Sequence, residues 1–317
     1  MKILILGGAG FGGSGLTQRL VKTGHDISIL DVIAPRHVEM IRHLYENETV
    51  KYIWKSTQDI SPDDIKGFDI IFDFAAQADV PLGFTSPIHT AQNNILSMYR
   101  LMECFKKFPP KKFIYMGSGT TFGPNQPLPI NEGAPQYAAN PYSASKHCAE
   151  IVALSYHRTF GIPITILRNG IVYGENMRRE IVVARFIINA LLSKPLIIEG
   201  GDQTRDINYV TNTLDALELL LNVDSSTING EIYHCATGVE TSIDELANTI
   251  LELTQSESEI QHVTYRHGEQ NVRQCLDISK ANKILGYQPK IFLREGLKRT
   301  IKWFKAENER LGLSGGI

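Results

Sequence analysis

The stretch MKILILGGAGFGGSGLTQRL, residues 1–20, decides the fold of this chain. It begins with an apolar run that is typical of a short buried strand, and Gly7–Gly15 then forms a glycine cluster. Leu16, Leu20 and Val21 follow at helical spacing. A strand, a glycine turn and a helix in this order are the context that a dinucleotide-binding fingerprint requires.

Glycine has a chemical purpose in such a turn, because a pyrophosphate must approach the backbone closely at the positive end of a helix. The spacing here is G-x-x-G-x-x-G rather than G-x-G-x-x-G. A glycine-rich turn without a ligand is the alternative interpretation, and the strand and helix on either side argue against it. The residues predicted to contact the dinucleotide are Gly7, Gly10, Phe11, Gly12 and Gly13.

A second apolar run, Ile27–Leu30, ends in Asp31. This position is close to the offset of about 20 residues expected for the acid that binds the adenosine ribose hydroxyls. Because a carboxylate repels a 2′-phosphate, the sequence favours NAD over NADP. Arg36 lies near enough in the chain to keep NADP open.

Tyr142 and Lys146, in the run PYSASK, are spaced i, i+4, so they are predicted to share one face of a helix. A tyrosine titrates near pH 10 and is a poor base at neutral pH unless a nearby cation stabilises its phenolate. A lysine one turn away supplies that cation. Tyr-x-x-x-Lys alone is equally compatible with a solvated helix face, and the dinucleotide fingerprint is what favours the catalytic interpretation.

The composition excludes several other classes of protein. Lys and Arg number 32 against 34 for Asp and Glu, so a charge of -2 offers no basic field for nucleic acid or an acidic membrane. The N-terminal apolar run is too short for a signal peptide or a membrane span, which favours a cytoplasmic protein. Widely scattered cysteines indicate reduced core thiols rather than disulfides or metal ligands, and no metal site is predicted: Cys104, Cys148, Cys235 and Cys275.

The organisation predicted from the sequence is α/β, with a parallel sheet covered on both faces. Predicted strands begin near Lys2, Ile27, Val50, Asp69, Lys112 and Ile162. Predicted helices begin near Phe11, Arg36, Thr90, Asn140, Glu180, Asn212 and Ile243. A Rossmann-type doubly wound sheet is expected over residues 1–173, with a later segment near 205–235 crossing back. Residues 174–317 are expected to form mainly a smaller C-terminal α/β lobe, with a frayed tail at 313–316.

Over nearly its whole length the chain resembles the extended short-chain dehydrogenase/reductases that act on nucleotide sugars. The resemblance is carried by ordered motifs: Asp59-Ile60, Phe74-Ala75-Ala76-Gln77, Asn94-Ile95, the segment 112–123, the segment 167–174, the segment 201–206 and the closing signature 285–303. It implies that Ser118 is the catalytic hydroxyl that acts with Tyr142 and Lys146. It also implies cofactor contacts by Asp59, Ile60, Phe74, Ala75, Ala76, Gln77, Asn94, Ser118, Tyr142, Lys146 and Gly170.

The same resemblance implies a nucleotide-diphosphate sugar as substrate and a homodimer that pairs helices near 90–107 and 141–158. The expected substrate contacts are Ser118, Thr120, Tyr142, Asn169, Arg205 and Arg273. Arg205 is the first choice for the diphosphate and Arg273 the second, since guanidinium binds phosphate bidentately. Either could equally be a surface arginine.

The residues after Ser118 bear on the reaction. Members of the family that eliminate water across C4 and C6 carry an Asp-Glu pair there, whereas this chain has Gly119 and Thr120, which resembles C4 epimerases. The prediction is therefore an NAD-dependent C4 epimerase. A C4 dehydrogenase or reductase needs the same three catalytic residues and stays open, as does a non-catalytic NAD-binding sensor or scaffold. The resemblance departs at Met116-Gly117, at Gly12 and Gly15, and at Arg168-Asn169-Gly170-Ile171, where the family often has the pattern Arg-x-x-Asn.

Overall fold

A computed structural model describes residues 1–310 of the chain, so the predicted frayed tail at 313–316 lies outside the described residues. The chain divides into two compact units. The first comprises Met1–Phe122, Pro135–Arg168 and Ala216–Tyr233, and the second comprises Gly123–Ala134, Asn169–Asp215 and the remainder from His234. These bounds differ from the predicted ones because Gly123–Ala134 joins the second unit and the main crossing falls after Arg168.

The strands of the described residues form three sheets. In chain order they are β1 (Lys2–Leu6), β2 (Asp26–Asp31), β3 (Val50–Trp54), β4 (Ile70–Asp73), β5 (Lys112–Ser118), β6 (Ile164–Asn169), β7 (Ile171–Tyr173), β8 (Leu196–Glu199), β9 (Thr204–Tyr209), β10 (Ile232–Cys235), β11 (Glu240–Ser242) and β12 (Ile260–Val263). The first unit is built on a seven-stranded parallel sheet in the order β10-β6-β5-β4-β1-β2-β3. The second unit holds β11-β9-β7 and the pair β12-β8.

Helices alternate with these strands in the first unit. In chain order they are α1 (Phe11–Leu20), α2 (Arg42–Glu46), α3 (Pro62–Ile65), α4 (Val80–Thr85), α5 (Pro87–Ala91), α6 (Ser97–Lys107), α7 (Pro141–Phe160), α8 (Val182–Leu191), α9 (Val210–Asn222), α10 (Ser225–Ile228), α11 (Ile243–Thr254), α12 (Ser279–Leu285) and α13 (Leu293–Arg310). A π-helical segment, Gln92–Leu96, joins α5 to α6. The predicted α/β fold with a doubly wound parallel sheet is confirmed.

The predicted helix near Arg36 is wrong. Only a short 3₁₀ turn, Pro35–His37, occupies this position, and α2 begins at Arg42. Pro35 is compatible with the first helical position, but Val38 leaves the helical region (φ -99°, ψ 90°), so no helix continues past His37. The other predicted element starts lie within a few residues of the observed ones.

The register of the central strands brings their carboxyl ends to one edge of the sheet. Leu6 pairs with both Leu30 and Asp73, and Asp73 pairs in turn with Tyr115. Beneath this edge, apolar residues from β1, β4 and β5 pack with α6 and α7 in one buried cluster. Ligand-binding residues in an open parallel sheet are expected at the carboxyl ends of the strands.

The predicted core thiols are correct for two of the four cysteines. Cys104 and Cys235 are buried, but Cys148 is exposed on α7 and Cys275 is half-buried; all four are free thiols. Cys148 lies outside the core because the next residue of the helix, Ala149, is the one that packs into the buried cluster. Within residues 1–310, no helix has both the length and the apolar character that a bilayer crossing demands.

Candidate active site

The glycine turn is built from backbone that comes close to itself. Gly7 has φ +69°, and its amide donates to the carbonyl of Leu30 (2.8 Å). A Cβ on Gly13 would stand 2.3 Å from the Gly7 carbonyl oxygen, and one on Gly7 would stand 2.7 Å from the Ala75 nitrogen. Helix α1 starts here with Gly10 as its N-cap, and no side chain caps it. Backbone amides at the start of α1 therefore face a surface without side chains, which fits a diphosphate.

The unusual Gly12 has a local explanation. A Cβ at this position would lie 2.9 Å from the ring of Phe74, so the phenylalanine takes the space that a larger residue would fill. Phe11, Phe74, Ala75 and Ala76 are all half-buried. The cofactor residues predicted on β1, α1 and β4 thus come together in one unit.

Asp31 closes the far side of the turn. Its carboxylate accepts hydrogen bonds from the amides of Ala9 (2.9 Å) and Ile33 (3.0 Å). Burial raises the pKa of Asp31, and these hydrogen bonds oppose the rise. Each carboxylate oxygen keeps acceptor capacity for a ribose hydroxyl. Arg36 is exposed on its 3₁₀ turn and donates to His37 (3.1 Å).

The predicted adenine pair divides between surface and core. Asp59 is exposed at the end of a 3₁₀ turn, Thr57–Asp59, whereas Ile60 is 6% exposed. The turn begins at Ser56, whose hydroxyl accepts from the Gln58 amide (3.1 Å). Of the two residues in the pair, Ile60 is therefore the one with a buried apolar side chain.

Asn94 connects the cofactor strand to the helix of the predicted base. Its amide exchanges two hydrogen bonds with the backbone of Gln77 (2.8 and 3.0 Å) and donates to Ser145 Oγ (2.8 Å). Ser145 donates onward to the Tyr142 carbonyl (2.7 Å). Asn94 lies in the π-helical segment, and such bulges often mark functional sites.

Helix α7 presents the predicted base and its cation. Asn140 caps the helix by accepting from the Ser143 amide (2.9 Å), and Pro141 follows at the first helical position. Tyr142 is half-buried one residue later, and a Cβ on Gly83 of α4 would stand 3.3 Å from the Tyr142 Cβ. Lys146, one turn on, is 4% exposed. The predicted i, i+4 placement on a helix is confirmed.

Ser118 is the last residue of β5, and α7 packs against both this strand and the 3₁₀ turn 119–122 that follows it. Its hydroxyl lies 2.8 Å from the Thr120 hydroxyl and accepts from the Thr120 amide (3.3 Å). The Ser118 hydroxyl can therefore donate its hydrogen bond either to the Thr120 hydroxyl or to a bound molecule.

The surroundings of Lys146 are unusual for an ammonium group. Its Nζ lies 4.2 Å from the centre of the buried Tyr115 ring. Burial lowers the pKa of Lys146 to about 8, with Asp73 and then Glu150 acting in the opposite direction. Burial also raises the pKa of Asp73 to about 7, against the influence of Lys146 and the Ala75 amide.

Two further buried residues, Arg168 and Glu150, were not predicted as site residues, and the half-buried Gln136 joins them. Arg168 donates to both carboxylate oxygens of Glu150 (2.8–3.2 Å), and Gln136 donates to the same carboxylate (3.1 Å). A Cβ on Gly117 would stand 2.7 Å from Glu150 Oε1, so the glycine that replaces a family serine makes room for this pair. Glu150 lies one turn beyond Lys146, and that i+4 spacing was the available signal.

The residues predicted for the sugar diphosphate lie in the second unit and are paired there with carboxylates. Arg205 is 8% exposed, forms an ion pair with Glu269 and donates to the Thr204 carbonyl (2.7 Å). Arg273 is exposed and donates bidentately to Glu240 (2.7 and 2.6 Å). A phosphate that binds either arginine has to compete with these partners.

Asn169 and Gly170 also lie in the second unit. Asn169 Oδ1 accepts from the Thr213 hydroxyl (3.2 Å). A Cβ on Gly170 would stand 2.3 Å from the Asp206 carbonyl oxygen, and the Gly170 amide donates to Cys235 (3.2 Å). Close packing explains this glycine, and its predicted contact with the cofactor stays a prediction.

The first unit thus holds a hydroxyl, a phenol and a buried ammonium, together with the glycine turn after β1 and the carboxylate of Asp31 at the end of β2. Such a set can hold a dinucleotide and move a proton at an alcohol or carbonyl oxygen. The family model described as GDP-mannose 4,6 dehydratase matches residues 4–300.

Individual relatives span different reactions. A Methanocaldococcus jannaschii protein named provisionally as a UDP-glucose 4-epimerase is 32% identical, over 96% of this chain and 99% of its own. The human dTDP-D-glucose 4,6-dehydratase is 30% identical over 96% and 90%. The structure of UDP-glucuronic acid 4-epimerase from Bacillus cereus, solved with UDP-glucuronic acid and NAD, matches with TM-score 0.90 and 28% identity, covering 97% of this chain and 100% of that one.

Proposed function

The chain belongs to the GDP-mannose 4,6 dehydratase family, and we propose that within it this protein is an NAD-dependent nucleotide-sugar epimerase acting at C4. Membership confirms the predicted resemblance to extended nucleotide-sugar dehydrogenase/reductases. The observation that carries the proposal is the placement of Ser118, Tyr142 and Lys146 on adjoining elements, with no acidic residue in the turn after Ser118.

NAD is the proposed cofactor, and its fit rests on the cradle of Gly7, Gly10, Gly12 and Gly13 together with the carboxylate of Asp31. The diphosphate would be held by backbone amides at the start of α1, and the adenosine ribose by Asp31. When bound, NAD supplies a hydride acceptor that can return the hydride to the sugar. The relatives solved with NAD support the same cofactor.

The protein's own part in the reaction is proton transfer and orientation. Tyr142 takes the proton from the sugar O4 hydroxyl as a phenolate, and Lys146 stabilises that phenolate from one turn away. Ser118 donates a hydrogen bond to the same oxygen, while the Thr120 amide holds the Ser118 hydroxyl in place. With NAD bound to accept the C4 hydride, loss of the O4 proton to Tyr142 would leave a ketone at C4. Return of the hydride to the opposite face, with the proton from Tyr142, would give the epimer.

Arg205 and Arg273 are proposed to bind the sugar diphosphate in the second unit. Each guanidinium already holds a carboxylate, from Glu269 and Glu240, in the arrangement that a phosphate would take. Arg205 is the stronger candidate because it is buried, and charge-assisted hydrogen bonds are worth more out of water.

Elimination of water across C4 and C6 requires an acid for the leaving hydroxyl and a base for the C5 proton. The turn Gly119–Phe122 supplies neither, since its side chains are those of glycine, threonine and phenylalanine. The buried Glu150 is occupied by Arg168 and Gln136. These observations favour epimerisation over dehydration, while simple C4 oxidation or reduction needs the same residues as epimerisation.

A homodimer through α6 and α7 is part of the proposal. Large apolar side chains are exposed on and beside these helices: Ile88, Leu96, Tyr99, Ile151 and Phe160. Exposed apolar patches of this kind commonly mark protein interfaces. Sedimentation that shows a monomer at micromolar concentration would contradict the dimer.

The test of the proposed function is product analysis. The purified protein would be incubated with UDP-, dTDP-, GDP- and CDP-hexoses and hexuronic acids, and the products identified by proton NMR. We expect a C4 epimer to accumulate to equilibrium without accumulation of reduced nicotinamide. A 4-keto-6-deoxy product, steady formation of NADH, or no turnover of any nucleotide sugar would each refute the assignment.

A further inference from the structure

Asp73 is a carboxylate at the end of an otherwise apolar strand, and no step of the mechanism above uses it. It ends β4 after Ile70, Ile71 and Phe72, and it is 3% exposed. Its carboxylate accepts a hydrogen bond from the Ala75 amide (3.0 Å). A buried carboxylate is costly without a partner charge, so its presence here calls for a cation.

Lys146 is that cation. Asp73 pairs in register with Tyr115 on the neighbouring parallel strand, and Lys146 Nζ stands 4.2 Å from the centre of the Tyr115 ring. All three residues are at least nine-tenths buried. The Asp73 carboxylate and the Lys146 ammonium are therefore both neighbours of Tyr115, in a buried region where their attraction is little screened by water.

Other charged groups near Lys146 are already committed. Glu150 follows on the same helix, but Arg168 from β6 and Gln136 bind both of its oxygens. The pair Glu150 and Arg168 is close to neutral as a unit. On β5 the nearby titratable group is Tyr115, whose pKa is raised well above its ordinary value by burial, with Asp73, Glu150 and Tyr142 adding to the rise. Tyr115 therefore stays uncharged, and Asp73 is left as the counterion.

We propose that Asp73 is a positioning residue that keeps the ammonium of Lys146 charged within its buried site, and so keeps Tyr142 available as a base. This inference rests on the proposed function for its catalytic meaning. Burial alone pushes Lys146 towards its neutral form, which could not stabilise a phenolate. The Asp73 carboxylate offsets that tendency at the pH where the enzyme works.

The direct test reads the charge of Lys146 without substrate or cofactor. The protein would be labelled with ¹³C at lysine Cε, and the Lys146 signal assigned by its absence in Lys146→Met. Its pH titration would be compared among the wild type, Asp73→Asn, Asp73→Glu and the control Asp69→Asn. Asp69 precedes the other end of β4, where it accepts from the Lys2 amide and pairs with Lys111.

We expect Asp73→Asn to lower the pKa of Lys146 by more than about one unit, which is about a tenfold loss of its charged fraction above the new value. Asp73→Glu should restore most of the wild-type titration, and Asp69→Asn should not change it. With turnover established, Asp73→Asn should lose kcat mainly on the alkaline side of the pH profile. A merely structural role would lower kcat equally at every pH.

An unchanged Lys146 titration in Asp73→Asn would overturn the proposal. So would failure of both Asp73→Asn and Asp73→Ser to fold, because the carboxylate would then serve folding. A shifted Lys146 titration in a protein that turns over no nucleotide sugar would leave the Asp73–Lys146 pairing intact and refute the proposed function instead.

Discussion

Two buried aspartates, one in each unit, show how differently the same side chain is used. Asp206 in β9 is fully buried, and its carboxylate accepts from the Thr237 amide and hydroxyl (2.8 and 2.7 Å) and from the amides of Gly238 and Leu276 (3.0 and 3.2 Å). Asp73 in β4 is equally buried and accepts from the single amide of Ala75. The Asp206 carboxylate is saturated by neutral donors, whereas the Asp73 carboxylate shares a buried neighbour, Tyr115, with the ammonium of Lys146.

The two aspartates differ in role: Asp206 stabilises the fold, whereas Asp73 lies among groups that can take part in catalysis. Hydrogen bonds from fixed amides hold the Asp206 region in one arrangement, and this residue follows directly on Arg205. Near Asp73 the charged group is instead an ammonium, that of Lys146, whose protonation can change, and perturbed titration in a cleft is what catalytic sites require. Mutations around Asp206 should therefore mainly lower stability, and mutations around Asp73 and Lys146 should mainly lower turnover.

The largest effect on this comparison is expected from Tyr142→Phe. Loss of the phenolate should reduce kcat by about 10²–10⁴-fold, since positioned proton transfer is worth that much. Thermal stability and NAD content should stay near wild type because Tyr142 is only half-buried. Tyr45→Phe, which removes a hydroxyl bound to the Pro35 carbonyl in the same unit, is the matched control and should keep full activity. Wild-type turnover by Tyr142→Phe would exclude Tyr142 as the base.

Asp206→Ala should give the largest loss of stability. It leaves three backbone amides and one hydroxyl without their acceptor, and each buried unsatisfied donor costs about 1–3 kcal/mol. We expect the free energy of unfolding in urea to fall by roughly 3 kcal/mol or more. The control Glu252→Ala removes one partner of the exposed pair with Arg294 and should change the free energy of unfolding little, because solvent screens exposed ion pairs. Equal losses of unfolding free energy in the two variants would show that Asp206 does not stabilise the fold in this way.

Arg205→Gln and Arg273→Gln test the substrate side of the second region. Calorimetric titration with UDP, or with the nucleotide identified by product analysis, should show affinity reduced about ten- to a hundredfold for Arg205→Gln, because a charge-assisted hydrogen bond is worth about 1.5–3 kcal/mol. The loss for Arg273→Gln should be smaller, since its guanidinium is exposed. The reverse order, or no change in either variant, would contradict the diphosphate assignment.

The smallest expected effect is a pH-dependent gain of stability in Asp73→Asn. Burial raises the pKa of Asp73 to about 7, above the value of about 3.9 for an unfolded aspartate. Between these values the folded wild type binds more protons than the unfolded chain, so its stability falls as pH rises. Asparagine does not titrate, and the melting temperature of Asp73→Asn relative to wild type should therefore rise from about pH 5 to about pH 8. A constant difference across that range would show that Asp73 keeps an ordinary pKa.

Much of the first unit could be predicted because its signals are local. The glycine turn, Asp31 at the end of β2, and Asn140 with Pro141 at the start of α7 are each set by neighbouring residues in the chain. The predicted helix at Arg36 is wrong because the backbone leaves the helical region at Val38, directly after the 3₁₀ turn.

The remainder depends on contacts between distant segments. Asp73 meets Tyr115 and Lys146 only because β4 and β5 pair in a particular register, and a single carboxylate after an apolar strand does not reveal that partner. Arg168 and Glu150 are also separated in the sequence, by 18 residues. The need for glycine at position 117 becomes clear only when their ion pair is seen to fill the adjoining space. The carboxylates that hold Arg205 and Arg273 are invisible for the same reason.

The central claim, that C4 is oxidised and reduced within one site, is tested most directly by isotope transfer. A nucleotide hexose carrying deuterium at C4 would be converted in ordinary water, and the epimer examined by NMR. The account predicts that deuterium is retained at C4 of the product and that the Tyr142→Phe protein forms this product at least about a hundredfold more slowly. Loss of the label to solvent, or its appearance at C6 of a deoxy sugar, would contradict the account.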